Sequence, residues 1–389
     1  MKVLIILCWH PTKEKPQYCK WILPHIKAAK LTGNDIRVIH LEVSSDKSKD
    51  GMIEEVSDNH FHSSIYISDF EQKRNILCYG LCLFKYSSRI KYIYKNLPSN
   101  WGKPDLIHAH VSLPAGFAAS ELSKSLNIPA IVSEHYSGFE SDMRFFWRVR
   151  FFINSMLKNI VLLTAVSPGF LERIKSAKLS HFKNLKLLAN PIDTGLFSGN
   201  RVKSDKSIIR LVTVGTTSSI KGLDLLFSAL ESLENKEYEW HLDLIGSMEH
   251  NSVFKQFMDN DYIRSRTTLH GRLEQSCMAE IYLESDLYIV SSRSETANVS
   301  MLEAMSCGVP VLSTRCGGPE TLLDKKSSIL VDSHSVEAIY YGLIKFYESQ
   351  VNFDRKRASR YVDDNYSLAT ISNRLDNIYK KCVYEYKNK

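Results

Sequence analysis

Short apolar runs alternate with amphipathic stretches along almost the whole chain. Twelve of these runs are rich in aliphatic and β-branched residues and predict β-strands. They are residues 3–8, 36–41, 106–110, 130–135, 161–166, 185–188, 208–214, 240–245, 267–270, 287–291, 309–313 and 329–331. Because nearly every residue of such a run is apolar, the predicted strands should be covered on both faces, which is typical of parallel sheets.

Helical patterns separate most of the predicted strands, for example at residues 114–126 and 336–347. Twelve strands are too many for one ordinary doubly wound sheet, so we predict an α/β protein with two Rossmann-like parallel-sheet domains of six strands each. The break between the domains follows Pro191, where residues 193–207 form a largely polar stretch with glycine, a composition typical of a linker. We therefore predict an N-terminal domain at residues 1–192 and a C-terminal domain at residues 208–368.

The composition changes this picture little. The chain has 389 residues, of which 44% are hydrophobic and 24% charged, as in ordinary globular proteins. No apolar run is long enough to span a bilayer, and the run at residues 3–9 favours a first strand over a secretory signal. The eight cysteines show no paired spacing, which favours free thiols in a reducing compartment. We therefore expect a cytoplasmic protein.

The charge is distributed unevenly. Residues 1–190 contain 26 Lys and Arg against 16 Asp and Glu, whereas residues 191–389 contain 24 against 27. Two stretches of the basic half, residues 81–95 and 144–158, interleave basic and aromatic side chains. This pattern suits peripheral binding to an anionic membrane, although a buried aromatic face with exposed charges would produce it as well. No recognised nucleic-acid-binding module is present, so we expect no nucleic acid partner.

One stretch of the C-terminal half carries the strongest chemical pattern. Glu295 and Glu303 flank a predicted helix start at Asn298, and Gly308 ends that helix. A helix that starts at the carboxyl end of a parallel strand presents unpaired N–H groups, which bind anions such as a diphosphate. The two carboxylates are suited to accept hydrogen bonds from sugar and ribose hydroxyls, although two exposed surface glutamates would give the same spacing.

This stretch resembles the donor site of glycosyltransferase family 4, in which a Glu-x7-Glu pattern precedes a Gly-Val-Pro-Val strand and a Gly-Gly-Pro-Glu loop. Further stretches resemble the family's phosphate-binding loop, its nucleobase-side loop and its acceptor-side crevice. They are residues 214–226, 270–273 and 105–116 with 133–135. The resemblance implies a retaining enzyme of the GT-B fold, with two domains facing a central cleft. It also implies that a last helix, at about residues 369–386, packs back on the first domain.

The resemblance assigns roles residue by residue. Glu303 would bind the ribose hydroxyls of the nucleotide, and Lys221 would neutralise its diphosphate. Glu295 would contact hydroxyls of the transferred sugar, and His135 would reach the same sugar, so these two are the candidate catalytic residues. The remaining donor-site residues are Gly215, Thr216, Arg272, Leu273, Asn298 and Val299.

Some of these positions have simpler explanations or depart from the family. Thr216 stands where many members have an arginine, so one fixed positive charge is missing from the phosphate site. Lys221 could be an ordinary loop lysine beside a glycine, and His135 could be a buried core histidine.

We assign His110 and Arg144 to the acceptor side. His108 and His110 share one strand face, but no third ligand is evident, so we expect neither a metal nor another cofactor. The predicted reaction moves a sugar from a nucleoside-diphosphate sugar to a hydroxyl of a glycan or polyprenyl-linked acceptor, in cell-surface polysaccharide biosynthesis. The alternatives are a non-catalytic GT-B protein and a sugar-phosphate-processing enzyme that resembles epimerases or phosphorylases.

Overall fold

The predicted apolar runs fall into two separate sheets in a computed structural model of the chain. The structure describes residues 1–12, 19–44, 47, 50, 53–57, 59–67, 76–98, 101–177, 179, 182–199, 208–234, 236–248, 252–349 and 353–388. The chain divides into two compact units, residues 1–189 with 371–389 and residues 190–370. Residues 200–207 of the predicted linker lie outside the described residues.

The sheet of the first unit contains eight of the described strands. They are β1 (Lys2–Leu7), β2 (Asp35–Ser44), β3 (Ile53–Ser57), β4 (His60–Tyr66), β5 (Leu106–His110), β6 (Ala130–Glu134), β7 (Leu162–Ala165) and β8 (Leu185–Leu187). Their order is β3-β4-β2-β1-β5-β6-β7-β8, and all neighbours run parallel except β3, which is antiparallel to β4.

The prediction of six strands in the first domain was wrong, because β3 and β4 add two strands at one edge. The sequence of β4, His-Phe-His-Ser-Ser-Ile-Tyr, places two histidines and two serines among three apolar or aromatic residues, so it lacks a continuous apolar run. His60 and Ser63 of β4 are nevertheless buried. A search for apolar runs misses this strand because several of its buried side chains are polar.

The sheet of the second unit is entirely parallel and has the six predicted strands. They are β9 (Ile209–Val214), β10 (Trp240–Ile245), β11 (Thr267–Gly271), β12 (Leu287–Val290), β13 (Val311–Thr314) and β14 (Ser328–Val331). Their spatial order is β11-β10-β9-β12-β13-β14. The chain therefore adds strands on one side of β9 up to β11 and on the other side from β12 onward. At such a switch point the carboxyl ends of the two strands leave an open crevice, where α/β sheets bind ligands.

Helices connect most of the strands and cover the sheets. They are α1 (Leu23–Leu31), α2 (Ile76–Lys95), α3 (Phe117–Leu126), α4 (Phe139–Phe145), α5 (Trp147–Leu157), α6 (Pro168–Ser176), α7 (Leu223–Glu231), α8 (Ser252–Asp259), α9 (Asp261–Ser265), α10 (Gln275–Glu284), α11 (Val299–Ser306), α12 (Val336–Ser349), α13 (Arg355–Tyr366) and α14 (Leu368–Lys387). The predicted class of two Rossmann-like α/β domains is confirmed.

The last helix, α14, contributes to the core of the first unit. The Ser372 hydroxyl donates to the Ala28 carbonyl at 2.7 Å, and the Tyr379 hydroxyl lies 2.7 Å from His108 Nδ1. Residues from Ile371 onward belong to the first unit by their contacts. None of the helices in the described ranges has the length and apolar content that crossing a membrane requires. All eight cysteines are free thiols, as predicted.

Candidate active site

The loop after β12 leads into α11, the helix predicted at the centre of the donor site. Asn298 caps this helix: it adopts a left-handed conformation with φ 60°, and its side-chain oxygen accepts from the Met301 N–H at 3.0 Å. The helix ends at Ser306, and Gly308 follows with φ 78°. Both predicted ends are therefore confirmed. The first turn of the helix begins at Val299, and such a turn leaves backbone N–H groups without partners inside the helix.

Glu295 and Lys221 form a direct ion pair in this loop. Lys221 Nζ donates to Glu295 Oε1 at 2.6 Å, and the same oxygen accepts from the Ser292 hydroxyl at 2.9 Å. Only 8% of the Glu295 surface is exposed, and its backbone N–H donates to the Cys316 carbonyl at 2.9 Å. Two predicted donor-site residues that lie 74 positions apart in the sequence thus meet at one point.

The loop that carries Lys221 is clamped to the loop after β12. Arg293 donates to both carboxylate oxygens of Asp224, at 2.8 and 2.6 Å, and to the Ser219 carbonyl at 2.6 Å. This pairing lowers the pKa of Asp224. Gly222 has φ 62°, and a Cβ there would lie 2.1 Å from the Ser291 carbonyl oxygen. Sequence reasoning did not single out Arg293, and nothing in its local pattern marks the contact with Asp224.

Glu303 lies one turn inside α11 and is buried. Burial raises the pKa of this carboxyl to about 7, against the smaller effect of a hydrogen bond from Gln275 Nε2 to Glu303 Oε1 at 3.1 Å. A carboxyl group in this state is partly protonated near neutral pH. It becomes a strong acceptor when ligand hydroxyls donate to it, since such bonds favour the ionised form.

The Gly-Gly-Pro-Glu loop after β13 is shaped by its own glutamate. Glu320 accepts from the Gly317 N–H at 2.8 and 3.0 Å and from the Cys316 N–H at 3.2 Å. A Cβ at Gly318 would lie 2.2 Å from the Thr296 carbonyl oxygen. The loop after β13 and the loop before α11 are therefore too close for any side chain at position 318. Glu320 therefore organises this loop.

The other predicted donor-site residues border the same edge of the second sheet. Gly215 follows β9 and is buried, while Thr216 is exposed and its hydroxyl accepts from the Ser218 N–H at 3.4 Å. Arg272 and Leu273 follow β11, the first exposed and the second half-buried. Their roles toward a nucleotide stay predictions.

The predicted residues of the first unit form a second cluster, made of histidines. His110 Nδ1 and His135 Nε2 are joined by a 2.9 Å hydrogen bond, and the two rings stack with centroids 5.1 Å apart. His108, on the same strand as His110, bonds to the Ser133 hydroxyl at 2.8 Å. Burial holds the pKa of His110 well below its usual value and lowers that of His108 to about 3. These two imidazoles are therefore neutral at pH 7.

Glu134 positions the backbone beside this cluster. Its carboxylate accepts from the N–H groups of Ser112 at 2.9 Å and of His135 and Tyr136 at 2.8 Å each. These bonds tie the turn after β5 to the backbone at the end of β6. Arg144 is exposed on α4. Within the described residues, no group of three or more His, Cys, Asp or Glu side chains is arranged to hold a metal ion.

Two family models match successive parts of the chain. The model described as Glycosyltransferase Family 4 matches residues 59–196, and the model described as Glycosyl transferases group 1 matches residues 199–364. The boundary between the two matches lies close to the division between the two compact units.

Curated relatives match parts of the chain. TuaC of Bacillus subtilis, a glycosyltransferase named for teichuronic acid biosynthesis, is 26% identical over 257 residues, which cover 64% of this chain and 62% of the relative. SQD2 of Arabidopsis thaliana, a sulfoquinovosyl transferase, is 27% identical over 231 residues, which cover 56% of this chain and 44% of the relative. The chain thus spans less than two thirds of the length of either relative.

Solved structures match nearly the whole chain. Sucrose-phosphate synthase from Thermosynechococcus elongatus has a TM-score of 0.77 at 16% identity, over 98% of this chain and 99% of that one. Anabaena HepE, solved with UDP and glucose, has a TM-score of 0.72 at 16% identity, over 98% of this chain and 100% of that one. At this identity the likeness shows the fold alone, which is GT-B.

Proposed function

Because the chain belongs to glycosyltransferase family 4, we propose that it transfers a sugar from a nucleoside-diphosphate sugar to a hydroxyl group of an acceptor. The observation that carries this proposal is the arrangement at the switch point of the second sheet. Lys221 in the loop after β9 lies there with Glu295 in the loop after β12, the N-terminus of α11, and Glu303 within α11, and both carboxylates are buried. Cationic and N–H groups bind the diphosphate, and the carboxylates accept from sugar and ribose hydroxyls.

In the ion pair between Lys221 and Glu295, each side chain can exchange its partner for a group of the donor. A diphosphate at the start of α11 carries more negative charge than one carboxylate, so Lys221 turns to it when the donor binds. Glu295 is then available to accept from the hydroxyls of the transferred sugar. Negative charge that develops on the leaving phosphate, as the glycosidic bond breaks, is stabilised by Lys221 and the helix N–H groups.

We propose a retaining reaction, in which the acceptor hydroxyl attacks from the face that the phosphate leaves and passes its proton to that phosphate. The role of His135 on the sugar stays a prediction from the sequence. A relative named for teichuronic acid biosynthesis supports a glycan as acceptor. HepE, whose structure contains UDP and glucose, makes a uridine diphosphate sugar the first donor to test.

The affinity for the donor should depend on pH through Glu303. We expect the dissociation constant of UDP-glucose to rise about tenfold between pH 8 and pH 6, because the carboxyl with a pKa of about 7 must be ionised to accept ribose hydroxyls. Because the pKa of Glu303 is raised to about 7, lowering the pH from 8 to 6 protonates most of this carboxyl, and the protonated form binds the donor less well. Calorimetry measures this directly, since the diphosphate of UDP-glucose does not titrate in this range.

The Glu303→Gln variant is the matched control for this dependence. It should bind UDP-glucose more weakly at pH 8 and show an almost constant affinity down to pH 6. A wild-type affinity that is independent of pH, or an equal dependence in the glutamine variant, would remove Glu303 from the donor site.

We also propose that the first unit docks on an anionic membrane, where a lipid-linked acceptor is presented. Exposed apolar side chains recur at Leu77, Leu81 and Phe84 along α2 and at Trp147 and Phe151 along α5. The two helices are neighbours, since buried rings on each are in contact, 5.9 Å between centroids.

Exposed basic residues also occur on α2, α4 and α5 and at the end of α5, namely Lys85, Arg144, Arg150 and Lys158. Apolar side chains among basic ones match an anionic lipid surface.

Liposome sedimentation tests this docking. Replacing Arg144 and Arg150 with serine should lower partitioning onto vesicles rich in phosphatidylglycerol by about 30-fold, at about 1 kcal/mol for each charge near the surface. Lys380→Ser with Lys381→Ser removes the same charge from α14 and should have a smaller effect. If the wild-type protein stays in the supernatant at low salt, the membrane proposal is wrong.

A further inference from the structure

The first unit contains a cavity of about 280 Å³ beside the turn after β5 and the end of β6, two segments that the sequence places on the acceptor side. Its walls come from the segment after β1 at Trp9, the turn after β5, the segment after β6 at Tyr136, and the helices α2, α4 and α5. The lining is mainly aromatic and aliphatic. Its volume lies near the lower end of the range for small-molecule pockets, about 300–1,000 Å³, so it suits one sugar ring or one head group.

Arg148 is the cation of this cavity, and it is buried. Only 9% of its surface is exposed, and its guanidinium carbon lies 4.7 Å from the ring centroid of Phe146 and 5.4 Å from that of Tyr79. Its Nε is buried without a hydrogen-bond partner, and the guanidinium forms no ion pair with any residue that the structure describes. The sequence pattern grouped Arg148 with the exposed Arg144 and Arg150, and its burial separates it from them.

Neither of the two carboxylates that border the cavity forms an ion pair with Arg148. Glu134 borders the cavity, but its oxygens accept the three backbone N–H bonds described above. Asp142 on α4 borders it as well, without an ion pair to Arg148. Contacts with two aromatic rings stabilise a guanidinium by about 0.5–2 kcal/mol each, which does not replace the solvation that a buried charge loses. The guanidinium therefore has donors left for a ligand.

We infer that this cavity binds the acceptor through an anionic group, a carboxylate or a phosphate, held by the guanidinium of Arg148. Planar, two-pronged donation is the geometry in which arginine binds such groups. The rings of Trp9 and Tyr136, 6.0 Å apart, provide aromatic surface for the adjoining sugar ring. This inference rests on the proposed transferase function, which it deepens by naming the acceptor's chemistry: an acidic or phosphorylated sugar.

Saturation-transfer NMR on the full chain tests the inference with four probes. D-Glucose is the neutral reference, D-glucuronic acid carries the carboxylate, glucose 1-phosphate carries the phosphate on a sugar, and geranyl phosphate carries it on a lipid. We expect at least one anionic probe to bind about tenfold or more tightly than glucose, because a charge-assisted hydrogen bond is lost with the neutral sugar. The preferred probe identifies the source of the anion.

The variants separate the cation from the aromatic surface. Arg148→Met should abolish the preference for the anionic probe, and Arg148→Lys should keep part of it. Lys124→Met removes an exposed charge from α3 of the same unit and should leave all four affinities unchanged. Tyr136→Ala changes a partly exposed side chain and should weaken every probe, glucose included. It keeps the inference testable if Arg148→Met does not fold, as judged by its melting temperature.

The inference is overturned if no anionic probe binds more tightly than glucose, or if a folded Arg148→Met variant keeps the preference. Its failure is distinguishable from failure of the proposed function, because probe binding is measured without donor or transfer. If the protein consumes a donor but shows no preference for an anionic probe, only the inference about the cavity is wrong. If it prefers an anionic probe but consumes no donor, only the proposed transferase function is wrong.

Discussion

Sugar transfer should fall by about 100-fold or more when Glu295 is replaced by glutamine. The carboxylate accepts from Lys221 and Ser292, and the proposed mechanism turns it to the hydroxyls of the sugar. Those hydroxyls become stronger donors as positive charge develops on the sugar, so the contact is worth most in the transition state. Steady-state assays of nucleotide release with a saturating donor measure the fall as a change in kcat.

Donor binding separates this role from a structural one. Glutamine keeps the size of Glu295 but no longer competes for Lys221, so the affinity for the nucleoside diphosphate should stay equal or increase. Glu280→Gln, an exposed change on α10 of the same unit, should alter neither quantity. Full transfer activity in a folded Glu295→Gln variant would exclude the proposed role.

Replacing Lys221 with methionine should weaken binding of the nucleoside diphosphate by about 10- to 100-fold. The estimate corresponds to one charge-assisted hydrogen bond, about 1.5–3 kcal/mol. Because Thr216 supplies no charge at the position next to Gly215, Lys221 carries a large part of the cationic character of this loop. Calorimetry with UDP and UDP-glucose measures the loss.

The ion pair complicates this variant, and a double variant resolves the complication. Lys221→Met leaves Glu295 buried without its cation, which destabilises the unit as well as the site. Lys221→Met combined with Glu295→Gln removes both charges, so its melting temperature should lie closer to that of the wild type while its diphosphate affinity stays low. Wild-type affinity in both variants would place the diphosphate elsewhere.

Much of the fold could be predicted from residue patterns within short segments of the sequence. All twelve predicted runs are strands, and in most of them the residues are buried on both faces of a parallel sheet and therefore continuously apolar. β8 and β11 lie at sheet edges and are partly exposed, contrary to the expectation that every strand is covered on both faces. The ends of α11 were predictable from Asn298 and Gly308, since capping depends on residues only a few positions apart. β4 was missed because its buried side chains include histidine and serine.

The geometry of the site was less accessible to sequence reasoning. The residues Lys221, Glu295 and Glu303 were named from a family pattern, but their contacts connect loops that are distant in the chain. The clamp of Arg293 on Asp224 spans 69 positions, and no local periodicity encodes such a pairing. The raised pKa of Glu303 depends on how deeply α11 is buried. Neither the cavity beside Arg148 nor the burial of that arginine could be predicted from the sequence, because the nearby arginines of the same stretch, Arg144 and Arg150, are exposed.

Turnover of nucleoside-diphosphate sugars tests the central claim most directly. The wild-type protein is incubated with UDP-glucose and a panel of other nucleotide sugars, with an acidic or phosphorylated sugar as acceptor, and the released nucleotide and the new glycoside are measured. We predict that one donor is consumed, that the product keeps the anomeric configuration of the donor, and that Glu295→Gln is about 100-fold slower. A folded protein that neither binds nor consumes any donor of the panel would contradict the account.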